Sequence, residues 1–351
     1  MTTGLDRRAF TLLGGGLLIG AAASPVLADG MKSVSVGIDQ AMFIPAGGLD
    51  QWISIKGEDL RNPVLLVVHG GPGEAQWPVA KHYKPWEKAF TVVLWDQRGA
   101  GHTYGRYGAK TPDMTLAQFT TDGLDVAEYL CRALGKRRII VLGHSWGSVV
   151  GVMMARNRPD VFAAYVGTGQ VESWKAMVNG QFDFLLAKAR RDGDAATVKE
   201  LEAIGRPDPA DTKQFFHFSR NMRAAWPPGD QAWIASLRAD SPASSAADPK
   251  NFQDFLDGFA FSADRLLPEQ VKSDLPAQAG EIHTAFFVIQ GQDDIVTPTS
   301  AAVDYFERVK APKKELVLIP GAGHFAFMTA PDAFLAALTN KVRPLAIARG
   351  A

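Results

Sequence analysis

The sequence predicts an α/β fold: a mostly parallel sheet with helices on both faces, interrupted once by a helical insertion. Three observations predict it. Apolar runs such as PVLLVVH (63–69), TVVLW (91–95), RIIVL (138–142) and AFFVI (285–289) show no polar alternation, the mark of strands buried on both faces. Stretches with apolar residues at helical spacing lie between them. Residues 171–282 hold no such run, only helical stretches separated by joints rich in Pro, Gly, Ser and Asp. Repeated strand–helix–strand units build a parallel sheet covered by helices.

The elements follow in order. Val34 to Ile38 and Trp52 to Lys56 alternate apolar and polar residues, as half-buried strands do. Pro63 to His69 is the first buried strand, Lys81 to Phe90 a helix, and Thr91 to Trp95 the next strand. Leu116 to Leu134 is a helix closed by Gly135, a residue suited to the left-handed cap. Arg138 to Leu142 is a strand, Trp146 to Arg156 a helix and Ala163 to Gly167 a strand. The insertion holds helices at Phe182 to Ala189 and Ala195 to Ile204, with joints at Arg206 to Asp211, Pro227 to Asp230 and Asp240 to Pro249. The alternation then resumes with strand Ala285 to Ile289, helix Ser300 to Val309, strand Glu315 to Ile319 and helix Pro331 to Val342. The expected organisation is a leader at 1–28, a core at 29–170, a helical cap at 171–282 and the rest of the core at 283–351.

Composition excludes more than it selects. The 351 residues suffice for one large core with an insertion. Lys plus Arg and Asp plus Glu number 37 each, so no basic excess favours nucleic acid or an anionic membrane surface. Cys131 is the only cysteine, which rules out an intramolecular disulfide and a cysteine-based metal site. The amino terminus carries Asp6-Arg7-Arg8-Ala9-Phe10, an apolar run from Leu12 to about Ala23, and the small-residue exit Val26-Leu27-Ala28. A charged start, an apolar stretch and such an exit describe a signal peptide. The paired arginines resemble the twin-arginine type, which exports folded proteins. The mature chain is then expected to begin near Asp29, in the periplasm or outside the cell, without stable membrane insertion.

The chemistry starts at Gly143-His144-Ser145-Trp146-Gly147, a G-x-S-x-G pattern between a buried strand and an apolar helix. Glycines flank the serine because the turn leaves no room for side chains. The hydroxyl of Ser145 is thereby held at a helix N-terminus, where developing negative charge is favoured. A serine needs a base. Of the seven histidines, His324 follows the last buried strand and so shares the carboxyl edge of the sheet with Ser145. His82, His102, His217 and His283 have no such context. The imidazole needs a carboxylate partner, and either Asp293 or Asp294 after strand AFFVI supplies it. The oxyanion needs backbone donors. One is the amide of Trp146, after the nucleophile. The other comes from the loop His69-Gly70-Gly71-Pro72-Gly73, whose glycines let amides turn toward substrate.

These motifs resemble the α/β-hydrolase superfamily and, within it, the prolyl aminopeptidase (proline iminopeptidase) group. The resemblance rests on His69 to Gly73, on Asp96-Gln97-Arg98-Gly99-Ala100-Gly101, on Gly143 to Ser148, on Gly291 to Asp294 with Pro298, and on Gly321 to His324. It implies an eight-stranded sheet, Asp294 as the acid, Gly71 as the second oxyanion donor, Gly70 beside the substrate, and Asp96 and Arg98 as a loop-bracing pair near the site. The cap departs from the group, because the tryptophan-rich and Ala-Arg-Ile-Glu-like stretches that hold a substrate's amine are missing from 171–282. Glu172, just past a strand end, is the one candidate for such a contact. Cap aromatics including Trp174, Phe182, Trp226 and Trp233 point to an apolar pocket.

The expected function is hydrolysis of an ester or amide bond of a small apolar or aromatic substrate through an acyl-serine intermediate, with no metal or cofactor. The alternative within the same chemistry is a prolyl aminopeptidase acting on short peptides. The alternative of another class is a non-catalytic binding protein on the same scaffold, disfavoured by the intact set of Ser145, Asp294 and His324.

Overall fold

The computed structural model describes residues 36–211, 222–239 and 249–351. The expected leader at 1–28 lies outside the described residues.

The first two strands, β1 (Ile38–Ala46) and β2 (Leu49–Gly57), form a hairpin. Its turn is Gly47-Gly48, both at positive φ, which glycine adopts without a Cβ penalty. Of the strand expected at Val34 to Ile38, residues 34 and 35 lie outside the described residues, and Val36 and Gly37 are not in a strand. Ile38 pairs with Gly57, where β2 ends, so Val36 and Gly37 have no ladder to join, and Val36 is exposed. The remaining strands are β3 (Val64–Val68), β4 (Thr91–Asp96), β5 (Ile139–His144), β6 (Phe162–Thr168), β7 (Ala285–Gly291) and β8 (Lys314–Ile319). Their order in one eight-stranded sheet is β1-β2-β4-β3-β5-β6-β7-β8. β2 runs antiparallel to both β1 and β4, and all later pairs are parallel.

Burial on both faces explains the unbroken apolar runs. In β3, Val64, Leu66 and Val68 join one core cluster, while Leu65 and Val67 join the other. The period of two in side-chain direction makes this split. The first cluster is covered by α2 (Leu116–Ala133) through Val126 and Leu130, and by α3 (Trp146–Asn157) through Val149 and Val150. The second is covered by Trp86 and by Phe334 of α9 (Pro331–Ala337). α2 starts where Thr115 accepts a hydrogen bond from the Gln118 N–H at 3.2 Å, and Gly135 follows its end at φ 64°.

The helix expected at Lys81 to Phe90 is a 3-10 segment, Trp77–Lys88. Pro78 at its start and Pro85 inside it cannot donate, so the tighter pattern replaces an α-helix. Between β4 and α2 the chain also forms α1 (Gly101–Tyr107), which the glycine-rich GHTYGRY did not announce.

Between β6 and β7 lie α4 (Trp174–Asp192), α5 (Ala195–Ile204), α6 (Pro228–Ala239) and α7 (Pro249–Val271). Ser173 caps α4 through the Ala176 N–H at 3.1 Å, and Gly193 ends it in the left-handed conformation. Trp174, Val178, Phe182 and Leu185 of α4 pack with Leu201 of α5 and Met222 into a third core, which Ile295 joins from beyond β7. This contact seats the insertion over the carboxyl edge of the sheet. The hydroxyl of Ser262 on α7 adds a bond to the Gly99 carbonyl at 2.8 Å.

Candidate active site

β5 delivers Ser145 and α3 begins immediately after it. Ser145 sits at φ 54°, ψ −122°, a conformation L-residues avoid and one that costs about 1–3 kcal/mol. The flanking glycines are obligatory. A Cβ on Gly143 would lie 2.4 Å from the Gly147 carbonyl oxygen, and one on Gly147 would lie 2.0 Å from that of Val68. Gly70 is equally constrained, since its Cβ would fall 2.9 Å from that of Ser145. The backbone at Gly70 thus packs directly against Ser145 and His144. The Gly71–Pro72 peptide in this loop is cis.

His324 follows β8, and its Nδ1–H donates to Asp294 Oδ2 at 3.0 Å. Asp294 is fixed from every side. Its Oδ1 accepts from the amides of Val296 (2.9 Å) and Thr297 (3.0 Å), and its Oδ2 from Gln290 Nε2 and Thr297 Oγ1, both at 2.9 Å. Five donors suit an ionised carboxylate that holds one tautomer of its histidine. Asp293 makes no such contact with His324; of the two aspartates, Asp294 is the one hydrogen-bonded to the ring.

Ser145 and His324 both border the segment Thr168-Gly169 at the end of β6. The Ser145 N–H donates to the Thr168 carbonyl at 3.0 Å, and a Cβ on the next residue, Gly169, would lie 2.8 Å from His324 Cε1. His144, the neighbour of Ser145, bonds the His324 carbonyl through Nε2 at 3.1 Å, with the two rings 4.7 Å apart. Burial disfavours a charged His324, yet Asp294, through charge and hydrogen bond, with Asp230 and Glu74, holds its pKa above the ordinary value. The other buried histidines go the opposite way. Burial lowers His69 to about 4 and His144 well below 6.5. Neither is poised to serve as the base.

A polar chain that the sequence did not reveal ties acid to nucleophile. Gln290 bonds Asp294 and accepts from the Gln170 N–H at 3.0 Å. Gln170 Oε1 accepts from the Tyr165 hydroxyl at 2.6 Å. Ser148 Oγ accepts from the Val171 N–H at 3.0 Å and donates to the Ser145 carbonyl at 2.7 Å. All of these side chains are buried, and each is hydrogen-bonded, as buried polar groups must be.

Asp230 is the second unannounced residue. It comes from α6 of the insertion, is 1% exposed, and accepts from the His324 amide at 2.6 Å and the Phe325 amide at 3.4 Å. A Cβ on Gly323 would collide with it at 2.2 Å, which explains the glycine before His324. Burial raises the pKa of Asp230 against the effect of those amides. The string PPGD marks a turn into a helix, but nothing in it points across the fold.

Gly71, Ser145 and Trp146 line one cavity of about 240 Å³ with Val171, Trp174 and Leu267. The amides of Gly71 and Trp146 have no acceptor among the described residues, so both are free to donate. Among the described residues no carboxylate lines this cavity.

Two expectations need correction. Glu172 does not face the cavity; its carboxylate is paired with Arg308 on α8 (Thr299–Arg308). A buried carboxylate past a strand end needs a cation, and here Arg308 supplies it. Asp96 and Arg98 brace the site, but not as a pair with each other. Arg98 clamps Asp122 with bonds of 2.6 and 2.8 Å and also holds the Gly47 and Pro112 carbonyls. Asp96 accepts from the amide and ring of His102, both at 2.8 Å, and His102 stacks on Trp52. His102 therefore has a structural partner that its sequence surroundings did not suggest.

The family profile described as alpha/beta hydrolase fold matches residues 63–331. The chain belongs to the alpha/beta hydrolase family. Within this family it is 27% identical over 301 residues to a protein of Bacillus subtilis named as a probable aminopeptidase, covering 85% of this chain and 94% of that one. It is 27% identical over 285 residues to a proline iminopeptidase of Xylella fastidiosa, covering 75% and 83%. A proline iminopeptidase-related protein of Thermus thermophilus shares the hydrolase fold with a TM-score of 0.56 at 22% identity, covering 89% of this chain and 98% of that one. Relatives named aminopeptidase, proline iminopeptidase and carbamate hydrolase make this alpha/beta hydrolase an enzyme of the hydrolase class.

Proposed function

We propose that this chain is a serine hydrolase that cleaves an ester or amide bond of a small apolar or aromatic substrate through an acyl-serine intermediate. Ser145 Oγ attacks the carbonyl carbon while His324 Nε2 takes its proton. Asp294 holds the imidazole in the tautomer with Nδ1 protonated and favours the cation that forms. The Gly71 and Trp146 amides receive the oxyanion. His324 then protonates the leaving group. In the second half-reaction it deprotonates a water that releases the acid and frees Ser145. The reading is carried by the strained Ser145 facing an apolar cavity together with two unengaged amides.

A prolyl aminopeptidase is the second reading, favoured by the names of the Bacillus and Xylella relatives. The carboxylate-free lining beside Ser145 favours the first. A panel pairing p-nitrophenyl butyrate with proline p-nitroanilide, run on the wild type and Ser145→Ala, separates them. Ester turnover that needs Ser145, with no anilide turnover, is expected. Anilide turnover exceeding ester turnover would move the chain to the peptidase reading. The leader at 1–28 is proposed to export the enzyme folded.

A further inference from the structure

Helix α7 borders two cavities. Ala263 and Leu267 wall the cavity beside Ser145, while Phe255 and Phe259, earlier on the same helix, wall a second cavity of about 520 Å³. That volume falls in the range of about 300–1,000 Å³ usual for small-molecule sites. Its opposite wall is Phe325 and Phe327, directly after His324, and Trp233 of α6 completes it. Among the described residues Glu74 is the only carboxylate in this apolar lining.

Glu74 follows the oxyanion loop, which fixes its backbone: its N–H donates to the Gly70 carbonyl at 3.1 Å. Its carboxylate has no hydrogen-bond partner among the described residues. The one cation among the described residues of the lining, Arg223, is exposed and forms no ion pair with it. An unpaired carboxylate against apolar walls is costly unless something pairs with it. Three carboxylates, those of Glu74, Asp230 and Asp294, act on His324, so the field at this wall is negative.

We infer that this second cavity is a substrate subsite for an apolar group bearing a protonated amine, with Glu74 as the partner of the ammonium. The inference rests on the hydrolase reading for the word substrate, but not for the binding itself. Burial pushes Glu74 up to about 7, opposed by His324; Tyr83 and Arg223 are the other titratable groups around it. An ammonium bound there favours the ionised carboxylate. Below pH 7 its binding therefore releases a proton.

The test is calorimetry on the wild type with 4-phenylbutylamine and its neutral counterpart 4-phenylbutan-1-ol, in buffers of different ionisation enthalpy. The amine is expected to bind about tenfold tighter or more, the worth of a charge-assisted hydrogen bond, and to release protons at pH 6.5. Glu74→Gln should remove both the advantage and the proton release. Phe259→Ala, at a half-exposed wall position, should weaken both probes alike. Equal binding of amine and alcohol, no binding of either, or an amine advantage that survives Glu74→Gln would overturn the inference. Amine binding with no ester turnover by the same preparation would overturn the hydrolysis reading alone and uphold the subsite.

Discussion

Asp230→Ala probes whether the insertion helps hold His324, the proposed base. The wild-type carboxylate takes the His324 amide at 2.6 Å and the Phe325 amide at 3.4 Å, in a site where Asp230 is 1% exposed. The second bond is long and contributes little, so the first sets the magnitude. A hydrogen bond to a charged group contributes about 1.5–3 kcal/mol, and deleting it also leaves a buried amide unsatisfied. Relief of the buried carboxylate offsets part of this. If the loss falls on the placement of His324, kcat/KM drops by about 10-fold to about 150-fold, at about 1.4 kcal/mol per decade. The drop should lie mainly in kcat, because Asp230 lines neither cavity. Asp230→Asn keeps one acceptor and should fall between wild type and Ala. Steady-state kinetics with p-nitrophenyl butyrate, beside urea unfolding of each variant, gives both readouts. Wild-type kcat in Asp230→Ala, with stability unchanged, would refute a role for the insertion at the histidine.

The pH profile carries its own sign. His324 must be neutral to accept a proton, and its neighbours raise its pKa above 6.5. Activity should therefore fall on the acid side around a midpoint above 6.5, and Asp230→Asn, which removes one raising charge, should move that midpoint down. An acid limb centred below 6.5 in the wild type would contradict the electrostatics. Gly147→Ala puts a Cβ 2.0 Å from the Val68 oxygen, so denaturant melts should show a loss of about 1–3 kcal/mol or more with activity abolished. Asp122→Ala leaves the buried Arg98 guanidinium unpaired; a loss of about 3–5 kcal/mol in unfolding free energy is expected. A loss under about 1 kcal/mol would mean that Arg98 finds solvent or another partner.

The core was legible because its signals are local. PVLLVVH and RIIVL name their own burial, and G-x-S-x-G, between a strand and a helix, has one workable geometry. Ser145, Asp294 and His324 could be named together because each stands at the carboxyl end of a strand, an edge that parallel order forces together. What escaped depends on contacts between distant segments. Asp230 reaches His324 across 94 positions, and Gln290 reaches Gln170 across 120. Their local strings look like a helix start and a strand end. Glu172 failed for the same reason in reverse, since its partner Arg308 lies 136 residues away. Pro85 was visible in the sequence and should have argued against an α-helix at Lys81 to Phe90.

Covalent trapping asks the central question most directly. A fluorophosphonate should add one phosphonyl group to the intact protein, and peptide mapping by mass spectrometry should place it on Ser145. His324→Ala should slow that addition by orders of magnitude without unfolding the chain. An adduct on another residue, or an active preparation that takes up none, would mean that this serine is not the nucleophile.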